Sequence, residues 1–213
     1  MPPRARLGVI ALACLYATAL LASAVAHGSS PYGFEDPAIE LLGPHSAIRG
    51  WAHLAELLAA PTIIAVLVVS FGVGLARRAF VRVAFYAALA AWALLISDHL
   101  VKPLVQRTYD GELTFPSGNV TAVSATALAM WLALSPVLGR MPRHVTLVLG
   151  GEWVLLMSLA VVGAHWHTPL DAVGSVLLSV GVVTAGAAVI EPAGTPGLFE
   201  AVGPDLFEEQ DSK

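Results

Sequence analysis

Residues 80–107 read FVRVAFYAALAAWALLISDHLVKPLVQR, an apolar run that ends in a lysine and an arginine. The part from residue 80 to residue 101 is long enough to cross the hydrocarbon core of a bilayer as an α-helix, which takes about 20 residues. Acidic and basic side chains occur in it only toward its ends, at Arg82 and Asp98. This stretch therefore predicts a membrane span that delivers Lys102 and Arg107 to the water boundary.

Similar apolar runs recur along the chain. Of its 213 residues, 57% are hydrophobic and 12% are charged, whereas about a quarter are charged in ordinary soluble domains. Lipid offers no hydrogen-bond partner to peptide groups, so such runs form helices, and they lack the alternation of a barrel strand. The predicted fold class is all-α, a polytopic bundle of six transmembrane helices over residues 7–26, 54–76, 80–101, 118–138, 146–166 and 169–190.

The basic residues predict the orientation of this bundle. With a cytoplasmic N-terminus, three of them lie outside, Arg49, Lys102 and Arg107, and eight lie inside. That bias follows the positive-inside rule. The inner set is Arg4, Arg6, Arg77, Arg78, Arg82, Arg140, Arg143 and Lys213. We expect a multi-pass protein of the plasma membrane with both termini in the cytoplasm and a functional site on the outer face.

The beginning of the chain has a second interpretation. Arg4 and Arg6, an apolar stretch and then Ala24-Val25-Ala26 also fit a signal peptide with a small-residue cleavage site. A retained span is favoured because the apolar run is close to full spanning length.

The remaining segments are more polar. Residues 27–50 are rich in proline and glycine and form the outer loop, in which residues 37–43 are either a short interfacial helix or a plain loop. Residues 191–213 are acidic and predict a flexible cytoplasmic tail. Residues 1–190 therefore make up one membrane domain.

Two short motifs place polar groups at the outer ends of spans three and four. Lys102 and Arg107 follow the third span and, taken alone, are typical of snorkelling anchors. Pro116-Ser117-Gly118-Asn119 opens the fourth span, where Ser117 is an N-cap candidate and Gly118 lets a ligand approach the backbone. Free N–H groups at a helix start bind phosphate oxygens. The alternative is a capped helix without a ligand.

A third motif, His167 with Asp171, stands at the start of the sixth span. Pro169 suits the first helical turn, which makes Thr168 the N-cap and Asp171 part of a variant capping box. The same carboxylate can hold the His167 imidazole in one tautomer and leave its other nitrogen free to attack phosphorus. His165 is a second candidate, but its spacing to Asp171 matches a helix less well.

Asp98 and His99 lie one turn before Lys102. They are candidates for a supporting shell around the site, or for an interfacial role.

The order and content of these motifs resemble a known family. Lys102-Pro-Leu-Val-Gln-Arg107, Phe115-Pro-Ser-Gly-Asn119 and His167-Thr-Pro-Leu-Asp171 are similar to the three signature motifs of the type 2 phosphatidic acid phosphatase superfamily. That family includes lipid phosphate phosphatases, polyprenyl diphosphate phosphatases and, more distantly, vanadium haloperoxidases. The resemblance implies two-step hydrolysis of a membrane lipid phosphate without a metal or other cofactor.

By position, the resemblance also implies a role for each site residue. His167 would be the nucleophile that forms a phosphohistidine, and Asp171 would orient it. The phosphoryl oxygens would be held, and their charge stabilised, by Lys102, Arg107, Ser117 and the Gly118 N–H.

All three motifs depart from the family's pattern. Tyr109 and Asp110 stand where the family has arginine and proline, and Val161 stands where it has a further arginine. Asn119 replaces the histidine that would protonate the leaving group. An amide delivers no proton near neutral pH, so expulsion of an alkoxide should slow by about 10²-fold or more. A lipid diphosphate, whose leaving group is itself a phosphate, is therefore the expected substrate.

Two other functions stay open from the sequence. A non-catalytic relative that binds a phosphorylated lipid or scaffolds membrane partners would also lack these side chains. A small transporter would place polar residues near the middle of the bilayer, and the acidic candidates, Glu56 and Glu152, lie toward span ends by the predicted boundaries. No basic stripe indicates nucleic acid, and the single cysteine, Cys14, allows no disulfide within the chain.

Overall fold

The structure, a computed structural model, describes residues 3–29, 31–42 and 46–190, and the predicted tail lies outside them. Its helices are α1 (Pro3–Val25), α2 (Asp36–Leu42), α3 (Ser46–Ala76), α4 (Phe80–Ile96), α5 (Lys102–Val105), α6 (Gly118–Leu134), α7 (Arg140–Gly163) and α8 (Pro169–Ile190). A π-helical turn, Ser97–Val101, joins α4 to α5, and a small antiparallel hairpin follows, with strands β1 (Thr108–Tyr109) and β2 (Glu112–Leu113).

The protein is a multi-pass membrane protein. Within the described ranges, five helical segments are long and apolar enough to cross a bilayer: Arg4–Val25, His53–Ala76, Phe80–Val105, Arg140–Gly163 and Pro169–Ile190. The fourth predicted span, α6, is apolar but only 17 residues long. The all-α prediction is confirmed for these segments, whereas length and composition alone do not establish the predicted count of six spans.

Helix α6 lies at the centre of the bundle. It packs against α3, α4, α7 and α8, and most of its side chains are buried. Ala125, Ala129 and Ala133 have no exposed surface and share a core with residues of α4 and α8. Small side chains let helix backbones approach closely where lipid gives no hydrophobic driving force for packing. This central helix therefore gives a firmly packed support to the predicted site residues at its N-terminal end.

The predicted span 146–166 is misplaced along its helix. α7 starts at Arg140, so its first turns accommodate polar residues that the hydropathy pattern excludes. As a result, Glu152 lies near the middle of α7, and the predicted position toward a span end is wrong. Its side chain is exposed on the surface of the bundle. The side chain of Glu56 lies outside the described part.

Helix polarity distinguishes the two ends of the bundle. α6 and α8 begin at the same end, since the Ser117 N–H donates to the carbonyl of Asp171 at 3.4 Å. At the opposite end, Arg82 donates to two of the last carbonyls of α6, at 3.1 Å each. Arg4 donates in the same way to carbonyls of α8, at 3.0 and 2.6 Å. Helix C-termini carry partial negative charge, so these arginines stabilise the end that faces away from the predicted site.

Candidate active site

The loop before α8 places His167 one turn ahead of Asp171. Thr168 precedes α8, and its N–H donates to Asp171 Oδ2 at 2.9 Å. The Thr168 hydroxyl has no hydrogen-bond partner among the described residues, so only the Asp171 half of the predicted capping box is formed. His167 Nδ1 lies 3.8 Å from Asp171 Oδ2, beyond hydrogen-bond distance. That nitrogen has no other hydrogen-bond partner among the described residues. The imidazole is partly exposed.

A buried ion cluster lies behind Asp171. Arg107 Nη1 donates to Asp171 Oδ1 at 3.1 Å, and Nη2 donates to Glu35 Oε2 at 2.8 Å. All three side chains are at most 1% exposed, and the guanidinium lies over the ring of Tyr32, 5.5 Å from its centroid. A phosphoryl group can reach Arg107 only if this cluster opens. The predicted phosphate-binding role of Arg107 stays a prediction, while the observed geometry has it hold Asp171.

Glu35 is a site residue that the sequence patterns miss. It lies in the loop between α1 and α2, in a segment without helical or strand periodicity. Its Oε2 also accepts the Tyr32 N–H at 2.9 Å, and its Oε1 accepts the Leu170 N–H at 3.1 Å. The sequence offered one signal for Glu35, which is that this carboxylate lies beside aromatic residues. If such a charged side chain is fully buried, it is nearly always paired, so a partner for Glu35 could have been expected.

Lys102 lies beside the start of α6. Its Nζ forms an ion pair with Asp98 Oδ1 at 2.8 Å. A Cβ placed on Gly118 would stand 3.5 Å from Nζ and 3.4 Å from that oxygen. Asp98 belongs to the π turn, a local widening that is frequent at functional sites, and His99 of the same turn is exposed. The structure therefore brings the predicted residues Lys102, Asp98 and Gly118 together.

Ser117 joins the beginnings of α6 and α8. Its Oγ accepts the Val120 N–H at 3.5 Å, which makes it the N-cap of α6 as predicted. Its N–H donates to the Asp171 carbonyl at 3.4 Å, and its own carbonyl accepts from Ser175 Oγ at 3.0 Å. The side chain is fully buried. Ser117 thus connects the start of α6, where Lys102 lies, to the start of α8, which follows His167.

The start of α6 is suited to bind an anion. The N–H groups of Gly118 and Asn119 stand where an α-helix has no carbonyl acceptor of its own. The Lys102 ammonium lies close by, and Asn119 is partly buried at the same helix start. Free N–H groups, the positive end of a helix dipole and a lysine are the components of a phosphate site.

His165 lies with the hairpin. It adopts a positive φ of 61°, and it lines a cavity of about 360 Å³ together with Ser29, Pro31, Tyr109 and Asp110. Burial raises the pKa of Tyr109, and the neighbouring charges of Asp110, Asp36 and Glu35 raise it further. The Tyr109 phenol is therefore neutral, at the position where the family that the motifs resemble has an arginine.

Within residues 3–29, 31–42 and 46–190, no group of three His, Cys, Asp or Glu side chains is placed to hold a metal ion. The expectation of metal-independent chemistry continues to rest on the resemblance.

The arrangement of the bundle matches a known structure. The crystal structure described as the first transmembrane PAP2 type phosphatidylglycerolphosphate phosphatase, from Bacillus subtilis, is similar over 85% of this chain and 97% of that chain, with a TM-score of 0.63 and 16% sequence identity. The chain has a PAP2-type fold. No protein-family model matches it, and no curated protein matches its sequence. The fold is thus the one implied by the motifs of the sequence.

Proposed function

We propose that the protein is an integral-membrane phosphatase that hydrolyses a lipid phosphate with His167 as its nucleophile. The observation that carries the proposal is the placement of the His167–Asp171 pair next to the start of α6, joined to it through the hydrogen bond from Ser117 to Asp171. The PAP2-type fold supports the class of reaction.

The reaction would take two steps. In the reacting state Asp171 would accept a hydrogen bond from His167 Nδ1–H, across a separation that is 3.8 Å in the structure, which would leave the lone pair of Nε2 free to attack phosphorus. The N–P bond forms as the bond from phosphorus to the leaving oxygen breaks, and water then cleaves the phosphohistidine and restores the imidazole. Lys102 and the free N–H groups of α6 stabilise the negative charge on the phosphoryl oxygens.

The substrate we propose is a polyprenyl diphosphate or another lipid diphosphate. Asn119, the second residue of α6, can donate a hydrogen bond to a leaving oxygen but no proton. A departing phosphate is stable without that proton, whereas an alkoxide is not. The lipid tail would stay in the bilayer while its headgroup meets Lys102. By the positive-inside rule, the site would open to the outer face of the plasma membrane, with both termini in the cytoplasm.

Phosphate release by purified, detergent-solubilised protein tests this proposal. The assay uses polyprenyl diphosphate and monophosphate of equal chain length, with a chelator and without added metal. We expect release from the diphosphate to fall by about 10³-fold or more in His167→Ala. His144→Ala makes the same substitution in α7, near its start, and should leave release unchanged. No release by the native chain would refute the phosphatase, and equal turnover of both lipids would refute the diphosphate preference.

A non-catalytic lipid-binding relative is the second candidate. Val161, at the position of a family arginine, is fully buried. Its carbonyl accepts the His167 N–H at 3.2 Å, so this residue shapes the histidine loop and cannot neutralise a phosphate. Binding of native protein to vesicles that contain the diphosphate, without phosphate release and weakened by Lys102→Ala, would favour this alternative.

A further inference from the structure

Glu35 sits at the centre of the cluster behind Asp171, although none of the three motifs contains it. Its carboxylate is 1% exposed and accepts three hydrogen bonds, from Arg107 Nη2 at 2.8 Å, from the Tyr32 N–H at 2.9 Å and from the Leu170 N–H at 3.1 Å. Burying a carboxylate has a large desolvation cost, and a buried ion pair is weak evidence for added stability. The position of this residue therefore calls for a reason other than stability.

The contacts of Glu35 lead through Arg107 to Asp171, and Asp171 lies beside the imidazole. Glu35 Oε2 binds Arg107, the other terminal nitrogen of Arg107 binds Asp171 Oδ1 at 3.1 Å, and Asp171 Oδ2 lies 3.8 Å from His167 Nδ1. The hydrogen bond to Leu170 also fixes the first turn of α8, which carries Asp171. Glu35 thus holds the histidine's partner both through the guanidinium and through the backbone.

Charge gives this arrangement a chemical consequence. The cluster contains two carboxylates and one guanidinium, so one excess negative charge faces His167. Without Glu35, the charge of Arg107 would cancel that of Asp171. A neutralised carboxylate is a weaker hydrogen-bond acceptor and stabilises a neighbouring imidazolium less.

We propose that Glu35 is a positioning residue for His167, acting through Arg107 and Asp171, an inference that rests on the proposed phosphatase function. Glu35 keeps the guanidinium shared between two carboxylates, so Asp171 retains the charge it needs to orient the histidine. The loop that follows α1 would then contribute to the site through Glu35.

The test uses the full-length protein and the pH dependence of diphosphate hydrolysis between about pH 5 and pH 9. In Glu35→Gln we expect kcat to fall about 10-fold with KM changed by less than about 2-fold, because the carboxylate orients the nucleophile and does not bind substrate. We also expect the acid-side loss of activity to move about 0.5 to 1 pH unit lower, because the imidazolium is less stabilised.

Two further variants separate charge from packing. Glu35→Asp keeps the charge, so the acid side of its profile should stay native even where the shorter side chain lowers kcat. Glu35→Gln combined with Arg107→Gln removes both charges and leaves Asp171 with the same excess negative charge as the native cluster, so its acid side should return to the native pH. The double variant also avoids a buried unpaired guanidinium.

The matched control is Glu40→Gln, which makes the same change at an exposed glutamate of α2 and should behave as native. The other charged and titratable groups of the elements around His167 are unchanged in every variant. They are Lys102 and Asp98 beside α6, His165 in the loop, His53 against Trp166, and Asp36, Tyr109 and Asp110 on the outer side.

The outcomes separate this inference from the proposed function. Native kinetics and a native profile in Glu35→Gln would overturn the positioning role while the phosphatase stands, provided that His167→Ala abolishes release. In Glu35→Gln, the activity could fall only in proportion to the fraction of folded protein measured by thermal unfolding, with an unchanged pH profile. That result would make Glu35 a structural residue and not a positioning one. Absence of release from native protein would refute both proposals.

Discussion

On the proposed function, Asn119 is the residue that would determine which leaving groups the site can expel. It is the second residue of α6 and follows Gly118, where an added Cβ would lie 3.5 Å from Lys102 Nζ. In Asn119→His, an imidazole at this position can protonate a leaving alkoxide, so kcat/KM for the lipid monophosphate should rise about 10- to 100-fold. The diphosphate, which needs no such proton, should change little. Asn119→Gln keeps an amide and should give no gain, and an equal gain for both lipids in the histidine variant would contradict the role assigned to Asn119.

The site contains some contacts that local sequence patterns predict and others that they do not. The capping role of Ser117 and the contact of the Thr168 N–H with Asp171 depend on neighbours within one helical turn, and both could be predicted. Glu35 could not, because its partner Leu170 is 135 residues away in sequence. A loop carboxylate has no periodic pattern that would reveal such a distant contact. The ion pair of Arg107 with Asp171 escaped prediction for the same reason.

At the scale of single elements, the end of the third span is the clearest difference from prediction. Proline opposes the simple continuation of a helix, and Pro103 lies two residues beyond the predicted end of the third span at residue 101. The chain widens into the π turn and resumes as α5, which has Pro103 in its first turn. α5 then ends at Gln106, which adopts a left-handed φ of 51°. The hydropathy pattern locates the span, whereas the π turn that positions Asp98 and Lys102 depends on packing.

Helix α8 carries glycines where other helices approach it most closely. A Cβ at Gly181 would stand 2.7 Å from side-chain atoms of Leu15 in α1 and 3.3 Å from its backbone nitrogen. We expect Gly181→Ala to lower the free energy of unfolding by about 1 to 3 kcal/mol through overpacking, measured as thermal unfolding in detergent. Gly72→Ala in α3, where a Cβ meets nothing within 4 Å, is the matched control. Unchanged stability of Gly181→Ala would contradict the packing of α1 on α8. That outcome is expected if residues 1–26 are removed as a signal peptide.

At the scale of the whole molecule, the bundle separates its charges between its two ends. The starts of α6 and α8 direct the positive ends of two helix dipoles toward the site, where an anionic headgroup would bind. Their last carbonyls lie at the other end, where Arg82 and Arg4 satisfy them. The arginines that the positive-inside rule places in the cytoplasm are therefore also helix caps. The predicted orientation in the membrane and the proposed attraction of phosphate to the site would then follow from one arrangement of helices.

This arrangement predicts which residues can be reached from outside the cell. Cys14 is the single cysteine, so Cys14→Ala provides a background in which one new thiol can be labelled. Glu112→Cys, on the exposed hairpin strand β2, should react with a membrane-impermeant maleimide in intact cells. Arg77→Cys, exposed at the opposite end of the bundle, should react only after the membrane is permeabilised. The reverse pattern would place the site in the cytoplasm and restrict it to lipids whose headgroups face inward, while leaving the chemistry of His167 unchanged.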